Sequence, residues 1–166
     1  YFYSLASQLG VDRIAAFMAP FGYGDLTDID ISGEKPGILP SRAWKMKTFK
    51  RPQDQVWFPG ETVNFGVGQG YLLVTPLQLA HVTAVLAGRG KSFRPRLVTG
   101  IRDAKGRVES IAPIANKSVA GVSAANWNVV MDGMKGAVTY GTAAAISKDA
   151  SYTIAGSAAG PAATTR

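Results

Sequence analysis

The sequence predicts an α/β fold, a sheet with helices packed on it, and three stretches carry that expectation. The strongest is Thr75-Pro76-Leu77-Gln78, a complete helix start. Thr75 suits the N-cap, Pro76 the first helical position, and Gln78 can close a capping box onto the Thr75 N–H. From Leu77 to Ala87 the residues are apolar on almost every side, with Gln78, His81 and Thr83 the polar exceptions. That is the pattern of a helix buried all round. The second stretch is Trp127, Val130, Met131, Met134 and Val138, an apolar stripe at helical spacing behind a capping Ser123. The third is a pair of strand-like runs, 93–101 and 107–111, joined through Asp103-Ala104-Lys105-Gly106 and read as a hairpin.

In chain order, residues 1–9 read as a short helix closed by Gly10. Asp12 is placed to cap the next, in which Ile14, Phe17, Met18 and Phe21 recur at helical spacing as core residues. Pro20 and Gly22 end it. Residues 23–59 hold Gly, Pro and Asp throughout and little periodic signal, a connection long enough for a surface lobe. Within it Arg42, Lys45, Lys47, Lys50 and Arg51 form a basic cluster interleaved with Trp44 and Phe49. Such mixing can serve nucleic acid. A solvated loop or short helix that pins its aromatics to the domain accounts for it more simply.

Gly66, Gly68 and Gly70 then leave a backbone free to take positive φ or to approach another surface. The helix over 76–87 stops at Gly88-Arg89-Gly90, with a cation in its last turn. The later helix ends at Tyr140-Gly141-Thr142-Ala143, and Tyr152-Thr153-Ile154-Ala155-Gly156 reads as a short strand. Residues 157–166 have no periodicity and are expected to be a disordered tail.

At 166 residues, 46% hydrophobic and 17% charged, the chain fits one globular domain with a real core rather than a disordered segment. No run approaches the ~18 apolar residues of a membrane span, and no signal peptide is visible. With no cysteine, neither a disulfide framework nor a thiolate metal site can form. The single histidine, His81, leaves no two-histidine metal site. Asp25, Asp28 and Asp30 lack the glycine and distal glutamate of a calcium loop. Gly66-x-Gly68-x-Gly70 lacks the dinucleotide-binding spacing. No cofactor and no metal are therefore expected. A net charge of +7 raises the question of an anionic partner.

Several blocks together resemble the class B penicillin-binding proteins, the periplasmic peptidoglycan D,D-transpeptidases, and among them the elongation-specific type, penicillin-binding protein 2. They are Tyr1-Phe2-Tyr3, Phe21-Gly22-Tyr23-Gly24, Asp30-Ile31-Ser32-Gly33-Glu34, Leu39-Pro40-Ser41-Arg42, Pro59-Gly60-Glu61-Thr62, the glycine-rich run into Thr75-Pro76, and Ala87-Gly88-Arg89-Gly90-Lys91. The likeness runs from Tyr1 to about Gly156, and it is the order and spacing of the blocks that is specific. It implies a β-lactamase-like α/β domain, incomplete here. The parent would crosslink stem peptides by serine acyl transfer and bind β-lactams. It would sit in the periplasm, anchored in the inner membrane of a Gram-negative cell, beside cell-wall elongation proteins and with no nucleic acid partner.

Such an enzyme needs a nucleophile, a base and oxyanion donors. The family draws these from S-x-x-K at a helix start, S-x-N or S-x-D on a loop, and K-T-G or K-S-G on a strand. Only Ser32 here has Lys at the third position after it, and Gly33, Pro36 and Gly37 make Ser32-Gly33-Glu34-Lys35 a turn. The resemblance places the first two motifs upstream of Tyr1 and the third directly after Gly156, where Ser157-Ala158-Ala159 stands instead. No residue of this chain is therefore assigned a catalytic, cofactor-binding or metal-binding role, and the chain alone is expected to be inactive. A reading of another class is a non-catalytic basic module that uses Arg42 to Arg51 on an anionic partner.

Overall fold

Gly10, at φ 75°, breaks the N-terminal helical run into α1 (Phe2–Leu9) and α2 (Val11–Met18). Residues 1–147 and 155–156 are described by a computed structural model. Because Gly10 turns the chain directly into α2, Asp12 falls inside the first helical turn instead of capping it. Its carboxylate there accepts the Arg42 N–H at 3.1 Å. A 3-10 turn (Ala19–Phe21) and left-handed Gly22 end this section, at the expected Pro20 and Gly22. Of the four core residues expected here, Phe21 is buried and Ile14 and Met18 pack against buried neighbours. Phe17 is 60% exposed and touches Phe21 only from outside. A helix two turns long can turn only part of a four-residue stripe inward.

The long connection is more regular than its composition suggests. Ser41 accepts the Trp44 N–H (3.0 Å) and starts α3 (Arg42–Thr48). Pro52 starts α4 (Pro52–Gln55) and Pro59 starts α5 (Pro59–Gly66). Local starts like these need no long hydrophobic period, so periodicity misses them. α5 lies against α1 closely enough that a Cβ on Gly66 would run into the Ala6 side chain. Close approach, not positive φ, is what that glycine provides.

α6 (Pro76–Ala87) has the predicted cap in full. Thr75 Oγ1 accepts the Gln78 N–H (3.1 Å), and Gln78 Oε1 accepts the Thr75 N–H (3.0 Å). It is not buried on every side: Val82 and Val85 face the core with Gln78, while Leu79, Ala80, Ala84 and Ala87 are exposed. Alanine tolerates either environment, so an Ala- and Leu-rich composition does not define a face.

Gln78 itself is fully buried. Its Nε2 donates to Asp25 O and Pro36 O, each at 2.7 Å, 53 and 42 residues away. Above it Ile38 and Leu73 form an isolated antiparallel bridge.

Gly90 closes α6, and the chain runs out into the expected hairpin, β1 (Gly100–Arg102) paired with β2 (Val108–Ser110). Its register is Gly100 with Ser110, Ile101 with Glu109 and Arg102 with Val108. Asp103 Oδ1 accepts the Lys105 and Arg107 amides and shapes the turn. The strands are shorter than the runs that predicted them, and their side chains are mostly exposed. Among the described residues this is the whole sheet, so helices dominate the observed α/β fold.

Ser123 caps α7 (Ala124–Thr139), accepting the Asn126 N–H at 3.2 Å. Trp127, Met134 and Val138 are buried as the stripe predicts, and Val130 lies at its rim. Phe21, Val82, Val85 and Trp127 make one core; Val11, Ala15 and Phe65 make another between α2 and α5. The Gly156 N–H donates to Met134 O (3.0 Å), so the chain returns against α7. Most of the expected strand over 152–156, and all of the tail over 157–166, lie outside the described residues.

Three substitutions test the α6 anchor in urea unfolding. Thr75→Ala should cost about 1 kcal/mol and Thr75→Ser almost nothing. Gln78→Ala should cost more, about 3 kcal/mol, since it leaves buried carbonyls of two distant loops without a donor.

Candidate functional site

Three polar centres could carry chemistry, and each is built by short elements. The first is the Ser32–Lys35 turn. It lies over the start of α6, where residues 31–35 and 75–77 line an open cavity of ≈ 370 Å³. Ser32 is exposed in a bend and Lys35 is exposed in a stretch without regular structure, so no helical register aligns the amine with the hydroxyl. Between them Glu34 faces inward. Its carboxylate accepts from the Thr27 N–H (2.7 Å), the Thr27 hydroxyl (2.6 Å) and the Asp28 N–H (3.1 Å). Desolvation pushes this carboxyl up, but the donors outweigh it and hold the pKa below the usual value. Glu34 thus ties the loop to Thr27 and Asp28.

The second centre is the basic cluster. Its middle member, Lys45, is not solvated: the side chain is 3% exposed. The Lys45 ammonium pairs with Glu61, donates to Val56 O (2.7 Å), and lies 5.3–5.9 Å from the ring centres of Phe49, Trp57, Phe58 and Tyr71. Trp44, Phe49 and Trp57 all pack on Tyr71. Glu61 also accepts the Phe58 N–H (2.8 Å) at the start of α5. Burial pushes the Glu61 carboxyl up, yet Lys45, the Phe58 amide and the Tyr71 hydroxyl together hold it below its ordinary value. Arg42 pairs with Asp12 and Arg51 with Asp54. The cluster thus does pin its aromatics to the domain, through the buried Lys45–Glu61 pair, while Arg42, Lys47, Lys50 and Arg51 stay exposed as a solvated face. Lys45 is withdrawn from any docking ligand.

The third centre was not legible in the sequence. Ser92, buried, sits with its Oγ 3.3 Å from His81 Nε2 and accepts the Asn116 amide at 3.2 Å. Burial lowers the His81 pKa, only partly opposed by the Glu34 charge, so the ring is neutral near pH 7. The dyad ends there, since Asn116 donates to the serine and does not orient the imidazole. A cavity of ≈ 210 Å³ beside it is lined by His81, Ala84, Val85, Gly88, Lys91 and Phe93. Eleven residues separate His81 from Ser92 with a helix end between them, and no spacing rule joins such a pair.

Of the aspartates weighed for calcium, Asp30 has its oxygens filled by the Leu97 (2.7 Å) and Val98 (2.9 Å) amides. Among the described residues no group of three acidic or histidine side chains could hold a metal ion. No described helix is long and apolar enough to cross a membrane.

The described residues thus form a capped helix, α6, packed on α7, with polar centres that mostly tie loops together. Residues 1–156 match the penicillin binding protein transpeptidase domain, and the chain belongs to that family. It is 34% identical over 157 residues to the peptidoglycan D,D-transpeptidase MrdA of Escherichia coli, covering 93% of this chain and 24% of that protein. The PBP2 crystal structure from Pseudomonas aeruginosa superposes with a TM-score of 0.77 at 42% identity, over 93% of this chain and 34% of that one. PBP2 of Helicobacter pylori, solved in complex with MreC, gives 0.71 at 26% identity, over 93% and 26%. The chain spans about a quarter of the length of the curated relative.

The ion pair makes its own prediction. Lys45→Met should destabilise the chain by about 3 kcal/mol, because Glu61 is left half-buried without its cation. Since the folded Glu61 pKa lies below its ordinary value of 4.5, its contribution is present above about pH 4.5 and drains as pH falls through the folded pKa. Unfolding free energy measured in urea across the acid range should therefore fall less steeply in Glu61→Gln than in the parent chain.

Proposed function

We propose that this chain is scaffold from a peptidoglycan D,D-transpeptidase, with residues 1–156 forming part of the domain and residues 157–166 diverging from it. The whole protein would acylate a serine with a stem peptide ending in D-Ala-D-Ala, pass the acyl group to an amine, and be acylated at that serine by β-lactams. It would act in the periplasm from an inner-membrane anchor, with elongation-complex proteins as partners. The single observation behind this reading is the likeness over nearly the whole chain to PBP2 of Pseudomonas aeruginosa. What this chain would supply is the α6–α7 wall and the loops tied by Gln78, Glu34 and Lys45.

No residue of the chain is proposed as nucleophile or general base. The one Ser-x-x-Lys pair lies off any helix, and a serine nucleophile needs its base held within hydrogen-bond reach. The chain alone should therefore resist acylation. After incubation with a fluorescent penicillin and denaturation, no covalent band is expected. A stoichiometric band on Ser32 or any other serine would overturn the assignment.

A further inference from the structure

The longest exposed run among the described residues is 101–118, every member of which is open to solvent. The hairpin and its approaches form a lobe in which cations gather. Residues 89–117 hold eight Lys and Arg against two Asp and Glu, while residues 1–88 hold seven against seven. The aliphatic residues of the hairpin bury little, Ile101 being 62% and Val108 60% exposed. Opening its tip therefore gives up little apolar burial. One carboxylate organises the turn. Asp103 Oδ1 accepts the Lys105 N–H (2.9 Å) and the Arg107 N–H (2.8 Å), and Oδ2 holds the Arg107 guanidinium (2.8 Å). The backbone adds two bonds, from the Asp103 N–H to Arg107 O (2.9 Å) and from the Gly106 N–H to Asp103 O (3.0 Å).

Below the tip the two arms are joined to each other and to the core. The Arg94 N–H donates to Ile114 O, the Asn116 N–H to Ser92 O and the Val119 N–H to Gly90 O, each at 2.9 Å. Phe93 and Ala115 form an antiparallel bridge, and the Asn116 amide donates to the buried Ser92 hydroxyl at 3.2 Å. Trp127 lies beyond the hairpin in sequence, yet it is buried with Phe21, Val82 and Val85, and Val119 and Val122 pack on that cluster. A break at the tip would leave every one of these contacts in place.

We propose that the Lys105–Gly106 peptide bond is a cleavage site for a serine protease of the trypsin type, and that segments 1–105 and 106–166 stay assembled after the cut. Water is the co-reactant. The bond from Lys105 C to Gly106 N breaks, and water adds across it to leave a carboxylate on Lys105 and an amine on Gly106. The acidic pocket of such an enzyme takes a lysine or arginine side chain. Lys105 offers one at an exposed loop tip, where nicking concentrates. The other cations are less open. Lys35, Arg51 and Arg94 precede proline, whose ring obstructs the protease. Arg13, Arg42, Lys45, Lys47 and Lys135 lie within α2, α3 and α7. Lys50 sits between Phe49, which packs on Tyr71, and Arg51, which pairs with Asp54. Arg89 and Lys91 flank the buried Gly90, and Arg96 precedes an amide held by Asp30. Lys117 lies between Asn116 and Val119, both tied to the other arm. In the hairpin itself Arg102 belongs to β1, and the Arg107 guanidinium is taken by Asp103. The site owes nothing to the transpeptidase reading.

The test digests the whole chain with a trace of trypsin in native buffer and identifies the fragments by mass. Within residues 1–147 the first cut should fall after Lys105. The fragment ending at Lys105 and the one beginning at Gly106 should then elute together on size exclusion, parting only in urea. Asp103→Ala removes the acceptor of two turn amides and should speed the cut by about tenfold, since cleavage of a locally opened segment follows its open population. Lys105→Gln should abolish that cut and leave urea unfolding unchanged, because the side chain is exposed. Three results would overturn the proposal: a first cut at another bond within residues 1–147, fragments that separate in native buffer, or a rate unmoved by Asp103→Ala. The first two need no variant, so they decide even if Asp103→Ala fails to fold.

Discussion

One buried amide holds the architecture in place. Gln78 has no contact with solvent, so every polar atom of its side chain must find a partner within the protein. Oε1 closes the cap of its own helix, and Nε2 divides its two hydrogens between Asp25 O and Pro36 O. The start of α6 is thereby fastened to both ends of the loop that contains Ser32 and Glu34. A residue without a Cβ is needed at position 37, where a side chain would run into Leu73 O and Gln78 Oε1. Glutamate could not replace this glutamine, having no hydrogens to give the two carbonyls, and a smaller residue would leave both unpaired.

Lys45 and Glu61 do the same work on the other side of the chain. A buried cation is costly unless it is paired and its remaining donors are used. Here the carboxylate and Val56 O take hydrogen bonds, and four aromatic rings surround what is left of the charge. The pair joins α3 to the first turn of α5, and α5 in turn carries α1 across the Ala6–Gly66 contact. Blocks by which the chain resembles its family, among them Ser32-Gly33-Glu34, Pro59-Gly60-Glu61 and Ser41-Arg42, are therefore caps, ion pairs and loop ties. Their spacing reflects what must be satisfied when backbone is buried.

The hairpin lobe stands apart from this logic. Elsewhere polar groups turn inward to satisfy backbone, and charge is balanced. Around β1 and β2 most side chains are exposed, and the approach to β1 is tied back through Asp28 and Asp30. The net charge read from composition alone suggested a diffuse basic surface with its focus at Arg42 to Arg51. The fold moves that focus, because it sinks Lys45 into the aromatic cage and leaves most of residues 89–117 exposed.

What the sequence by itself determined was whatever is local. The Thr75 and Ser123 caps, the Gly10, Gly22 and Gly90 stops, and the turn at Asp103 to Gly106 each depend on groups within a few residues, so their chemistry can be read along the chain. The α/β class and the family followed from the order of those signals. Tertiary structure alone decided which way the residues face. Phe17 matches a helical stripe yet lies outside, Leu79 and Ala80 sit on the open side of α6, and Lys45 lies inside although its neighbours are basic. Nor could spacing reveal that Ser92 would meet His81, or that Gln78 would reach Asp25 and Pro36. Those contacts join residues far apart in the chain, and their energy depends on the burial that the completed fold creates.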